Sequence, residues 1–389
     1  MSLRTVYVGA TIFDGFKRHG GAALVVEGDT VVSVCPEADL AEDAAMVRLG
    51  GGLLAPGYVD LQVNGGGGVM LNDAPSVEAI QTICDAHARC GTTSVLPTLI
   101  TDTPEITIAA MNAAREAISR GVSGMAGLHL EGPHLSVERK GAHAAGLIRP
   151  MSDEDCNALV ALARELPSLL LTVAPESVTG EQIGRLASAG AVVSLGHTGC
   201  THAEATAAVD AGARCATHLF NAMSQLGSRE PGLVGTVLAD PRMSAGLIAD
   251  GVHVDPRTIA IALSAKSAPG CIFLVSDAMA ATGTALSEFQ LNGRRILRRG
   301  GQLKLEDGTL AGSDLNLAQS VTNMIDLVGI EADTALAMAS SLPAQLLGRD
   351  GELGVLKPGS QADFIWMAEG CSVAQVWRQG VAVPQSSQS

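Results

Sequence analysis

From residue 58 to residue 278 the chain repeats one pattern: a short apolar run, then in most cases an amphipathic stretch of helical period. The runs are YVDLQV (58–63), TSVLPTL (93–99), MAGLHLEG (125–132), LLLTVAPE (169–176), AVVSLGHT (191–198), ARCATHLF (213–220), MSAGLIADG (243–251) and CIFLVSDA (271–278). Helical stretches follow near 76–89, 104–120, 180–189, 202–212 and 255–267. The third run opens a long polar loop, and the sixth also leads into a loop. Apolar runs of this length suit parallel strands buried on both faces. Eight strands mostly followed by helices favour a closed (β/α)8 TIM barrel over an open sheet.

The two ends of the chain read differently. Residues 4–54 carry short alternating runs such as RTVYVGATIF and AALVVEGD, and the last stretch (ADFIWMAEG, SVAQVWRQG) behaves alike. These predict short antiparallel strands with tight turns. Chain ends often lie close together, so residues 1–54 and 355–389 are expected to form one small β-sandwich domain beside a barrel of 55–354. Two insertions interrupt the barrel pattern. Residues 134–154 read as a mobile βα loop and lid. Residues 286–312 read as a hairpin around Asn292-Gly293.

At 389 residues and 47% apolar composition the chain can bury a large core, while aromatics are only 3% and glycines number 45. That core must be aliphatic and tightly turned. The net charge of −15 disfavours nucleic acid and anionic membrane surfaces. It does not bar a small anionic substrate from a locally positive pocket. The eight cysteines are scattered, with no Cys-x-x-Cys pair, as expected of reduced thiols in a cytoplasmic protein. No stretch reaches 18 uninterrupted apolar residues and no secretory h-region opens the chain, so neither spanning nor secretion is expected.

His129, Glu131, His197, His218, Asp250, His253 and Asp277 all fall at or just beyond the ends of the apolar runs. In a barrel those ends converge on one mouth, where active sites are built. A lone histidine there is ordinarily a satisfied structural residue. Glu131, His197 and His218 together, from runs three, five and six, form a carboxylate-plus-two-imidazole set for a catalytic divalent metal. Zinc suits such a set, and iron, manganese and cobalt are accepted by it as well. Asp277, ending the eighth run, is placed as a general base beside a metal-activated water. His253 can donate to a developing oxyanion. Arg229, in the loop 224–232 near Asn221, offers a guanidinium suited to phosphate.

These stretches resemble the N-acetylglucosamine-6-phosphate deacetylases of the amidohydrolase superfamily. The resemblance is carried by LLAPGYVDLQVNGGGGVMLND (53–73), HLEGPHL (129–135), KGAH (140–143), SLGHT (194–198), THLFNAM (217–223), REPG (229–232), IADGVHV (248–254), LVSDAMAATG (274–283) and LAGSDLNL (310–317), in that order. It implies Glu131, His197 and His218 as metal ligands and Asp277 as base and acid. It implies His253 as the group that polarises the carbonyl. Gln62, Ala142, His143, Asn221, Ala222, Asp250, Leu310, Ala311 and Gly312 become substrate-binding positions. Arg229 resembles a phosphate ligand contributed across a dimer interface, so a homodimer or larger homo-oligomer is expected. The implied substrate is a small phosphorylated amino sugar.

One departure matters. The superfamily usually ends its first strand in His-x-His, which binds a second metal; here the residues are Gln62-Val63-Asn64. Amides are poorer ligands than imidazole for such ions, and no lysine ends the fourth run. The expectation is one divalent ion per subunit. Two rivals stand beside it. One is an amidohydrolase for N-acetylgalactosamine 6-phosphate, an N-acyl amino acid or a cyclic amide. The other is a barrel that keeps the fold without catalysis.

Overall fold

A computed structural model describes residues 4–40, 45–291, 293–368 and 372–384. Its centre is an eight-stranded parallel sheet whose strands neighbour one another in chain order. We number them β1 (Tyr58–Val63), β2 (Thr92–Ile100), β3 (Leu128–Glu131), β4 (Leu169–Val173), β5 (Val192–Leu195), β6 (Cys215–Ala216), β7 (Ser244–Leu247) and β8 (Ile272–Leu274). Every residue of β2 is buried, which explains its continuous apolar run. Closure comes just beyond β8, where Val63 bridges Ala278 in parallel and Asp277 N donates to Gln62 O at 3.0 Å.

The helices start where capping chemistry permits. They are α1 (Val77–Ala88), α2 (Pro104–Ser119), α3 (Asp153–Glu165), α4 (Gly180–Ser188), α5 (His202–Ala211), α6 (Gly232–Ala239) and α7 (Pro256–Ala265). Ser152, Thr179 and Thr201 each form a reciprocal capping box with the residue three positions on. Proline stands at the first position of α2 and α7, where its missing N–H costs nothing. Two of these helices differ from the sequence reading. The polar stretch after β3 ends in α3, and the loop after β6 runs into α6.

Several strands are shorter than their apolar runs. The run 213–220 yields only Cys215–Ala216, and 271–278 only Ile272–Leu274. The cause is local: His218 and Asp277 have positive φ, which no extended strand accommodates.

The chain ends meet in a six-stranded sheet that pairs Leu53–Pro56 with Phe364–Met367. A second sheet of four strands is built from residues 4–48. Phe364 stacks on Trp377, and Tyr7 packs edge-on against both. Not all pairings are antiparallel as the sequence suggested. Arg4–Val8 runs parallel to Ala45–Arg48, and Thr11–Phe13 parallel to Leu53–Pro56. The intervening hairpin of residues 22–36 supplies the long crossover that a parallel pair requires.

The insertion after β8 is a four-stranded antiparallel sheet, Glu288–Leu291, Arg294–Arg299, Gln302–Leu305 and Leu310–Ser313. Leu291 lies opposite Arg294, as a two-residue hairpin loop demands, though Asn292 itself lies outside the described residues. Among the described residues seven cysteines are free thiols; Cys371 lies outside them. No described helix is long and apolar enough to cross a membrane.

Candidate metal centre and active site

The C-terminal ends of the barrel strands carry unusual backbone. Among the described residues six non-glycine residues have positive φ, and five of them are His197, His218, Phe220, Ala222 and Asp277. Such residues persist only where surrounding structure over-determines them, and they cluster at functional sites. Here the left-handed turns swing side chains from β5, β6 and β8 over the barrel mouth.

Three of those side chains meet. His197 Nε2 lies 3.1 Å and His218 Nε2 3.0 Å from Glu131 Oε1, and the two nitrogens are 3.0 Å apart. All three side chains are buried. His197 Nδ1 donates to the carbonyl of Arg139 at 2.8 Å. In the neutral imidazole this leaves a lone pair on Nε2, aimed at a carboxylate oxygen. Acceptors held that close repel unless a cation lies between them. The spacing also suits ions whose nitrogen and oxygen ligands sit at ~2.0–2.2 Å. The donor set therefore fits a divalent metal. Burial alone would raise the Glu131 carboxyl; with protons on the facing imidazoles, their hydrogen bonds and charge outweigh burial and hold the group well below its ordinary range. His143 stands close by, its ligand atom within 4.8 Å of those of Glu131 and His197. It accepts at Nδ1 from Thr101 N, at 3.3 Å.

Asp277 lies beside this cluster. Burial, and then the charge of Glu131, push its carboxyl up to about 6. Its Oδ1 accepts from Asn64 Nδ2 at 2.6 Å and Gln62 Nε2 at 3.2 Å. Gln62 Nε2 also lies 3.3 Å from both oxygens of Glu131. The amides at the end of β1 thus serve as donors to the two carboxylates.

Glu131, Ala142, His143, His197, His218, Asn221, Ala222, His253, Asp277, Leu310, Ala311 and Gly312 all line one cavity of about 180 Å³. The remaining sequence-predicted positions lie elsewhere. Gln62 sits behind the wall, holding the carboxylates. Asp250 backs His253, accepting from His253 Nδ1 at 2.6 Å and from the backbone N–H of Val252 and His253 at 2.8 Å. Arg229 is exposed and does not line the cavity. His129 is in the barrel interior, bonded to Thr98 and Thr172 at 3.3 and 2.8 Å.

The sequence reading missed Asn64 as a working residue. Its signal was available, because Gln62 and Asn64 share one face of a strand at period two. Ile100, Ile248, Met279 and Leu291 complete the cavity wall. Aliphatic side chains carry no chemical signature that would have marked them.

The amidohydrolase family model matches residues 53–383. The chain belongs to the amidohydrolase family.

This amidohydrolase is 40% identical to an N-acetylgalactosamine-6-phosphate deacetylase of Shewanella sp. (strain ANA-3), over 90% of this chain and 88% of that one. It is 36% identical to an N-acetylglucosamine-6-phosphate deacetylase of Haemophilus influenzae, over 88% and 89%. Among solved structures, the N-acetylglucosamine-6-phosphate deacetylase of Pasteurella multocida superposes with a TM-score of 0.93 at 35% identity, covering 98% of this chain and 99% of that one. A mutant of the Mycobacterium smegmatis enzyme in complex with N-acetyl-D-glucosamine-6-phosphate gives 0.88 at 31% identity, covering 98% and 99%.

Proposed function

We propose that this amidohydrolase removes the acetyl group of N-acetyl-D-glucosamine 6-phosphate, releasing acetate and D-glucosamine 6-phosphate. The observation that carries the reading is the meeting of Glu131, His197 and His218 beside Asp277 in one cavity. Glu131, His197 and His218 would hold one divalent ion, with zinc the first candidate. Bound there, the ion would supply an activated water near neutral pH and polarise the acetyl carbonyl.

The protein's own groups account for the proton traffic. Asp277 accepts a proton from the attacking water, its Oδ1 held by two amides. His253, its Nδ1 paired with Asp250, donates from Nε2 to the oxygen on which charge develops when both ring nitrogens carry protons. Asp277 then returns the proton to the departing nitrogen, because an amide anion leaves too poorly unprotonated. Ala142, His143, Asn221, Ala222 and residues 310–312 form the sugar-binding wall.

Arg229 is assigned to the substrate phosphate from a second copy of the chain, in a homodimer or larger assembly. Its exposure is what supports this assignment. Residues 225–230 are all exposed, and Gln225 Nε2 ties the start of this loop to the carbonyls of Phe220 and Met223. Cytoplasmic residence belongs to the same proposal.

The galacto epimer is a second reading, since the chain is 40% identical to the Shewanella enzyme. Amine release from both epimeric 6-phosphates, with metal analysis of the same sample, tests the proposal. Turnover of the gluco substrate is expected. Release from the galacto epimer alone would transfer the assignment, and release from neither would end it.

A further inference from the structure

The two barrel insertions meet over the cavity. One wall is Gly141, Ala142 and His143 from the loop after β3; another is Leu291 and residues 310–312 from the sheet after β8. Arg294 joins them, its Nη2 donating to the Ala142 carbonyl. Among the described residues that guanidinium makes no ion pair, although its charge reaches Asp307, and the Ala142 carbonyl is the hydrogen-bond partner seen for its side chain. It is half-buried and is not part of the cavity wall. The sheet that carries it is anchored to the catalytic strand. Ser313 N donates to Asp277 O at 2.9 Å, and the Ser313 hydroxyl to Ser276 O.

We infer that Arg294 is a positioning residue for substrate binding, acting through Ala142 by fixing segment 141–143 against the sheet that holds Asp277. It sets the width of the cavity between its two inserted walls. The claim rests on the proposed deacetylase reading for its kinetic test but not for its structural one. Arg294 bonds the main chain of Ala142 and supplies no atom to the proposed ligand set, so metal content should not change. A guanidinium bound to a main-chain carbonyl orders the loop whatever group the sugar carries at its sixth carbon. This separates Arg294 from Arg229, whose effect should depend on the phosphate.

The test compares Arg294→Met, which keeps length and loses the donor, with Arg294→Lys, which keeps a donor. In Arg294→Met, KM should rise about tenfold for phosphorylated and unphosphorylated N-acetylglucosamine alike, with kcat within about twofold. Arg294→Lys should recover most of the loss. Hydrogen exchange over residues 140–148 should quicken in Arg294→Met and remain near wild type in Arg294→Lys. An unchanged KM, an increase confined to the phosphorylated sugar, or unaltered exchange would overturn the inference. If the wild-type protein turns over neither sugar, the deacetylase reading fails while the exchange comparison still decides the role of Arg294.

Discussion

The Asn64 amide donates to Asp277 Oδ1 across 2.6 Å, at the strand end where many amidohydrolases are expected to carry an imidazole. A donated N–H stabilises the ionised carboxylate, opposing the burial that pushes Asp277 up to about 6. The base form is the ionised one, so activity should fall as pH drops through the pKa of Asp277. Asn64→Leu removes the donor and should move that fall to higher pH, by about one unit, and lower kcat about 10- to 100-fold. A bound ion pulls Asp277 downward in both proteins, so the difference survives. An acid limb of kcat/KM that stays in place would remove Asn64 from this role.

Metal binding and proton transfer should separate by mutation. Glu131→Ala and His197→Ala should lose metal on elemental analysis, since each removes one of three converging donors. Asp277→Asn should keep its metal yet lose about 10²- to 10⁴-fold in turnover, the usual contribution of a positioned acid–base. Near-normal turnover in Asp277→Asn would assign the proton to another group.

Arg229→Ala should raise KM for the 6-phosphate about 10-fold or more, as loss of a charge-assisted contact does. The unphosphorylated sugar should be little affected. Sedimentation should show the variant still assembled, because the substitution removes a charge at an exposed tip. Equal effects on both sugars would discredit the phosphate assignment.

Asp60 gives a prediction about stability. It is fully buried on β1, where it accepts from Ser276 N at 3.2 Å, and burial pushes its carboxyl up to about 7. Between about pH 4 and 7 the folded protein therefore holds a proton that the unfolded chain has released. This contribution falls as pH rises through that window and is gone above it. Asp60→Asn cannot titrate, so the loss of Tm from about pH 5 to about pH 8 should shrink by roughly 2 °C. An identical pH dependence in both proteins would refute the assignment.

The barrel was legible because its strands are apolar on both faces. The meeting of Glu131, His197 and His218 was legible because charged and imidazole groups stood at the ends of those runs. Helix α3 was harder to see. Its first turn is Asp153, Glu154 and Asp155, which reads as a polar loop although acidic residues favour a helix N-terminus. The roles of Gln62 and Asp250 were not readable, since each acts through another side chain and only coordinates show which. The placement of Arg229 depends on how its loop is tied back, and sequence spacing does not specify that direction.

The left-handed turns at His197, His218 and Asp277 also bear on engineering. Grafting these three side chains onto relaxed strands of another barrel would point them to the faces of the sheet, not across the opening. A designer would need to copy the kinked main chain together with the packing that holds it. Generic stabilisation that straightens those turns would be expected to spread the ligands apart.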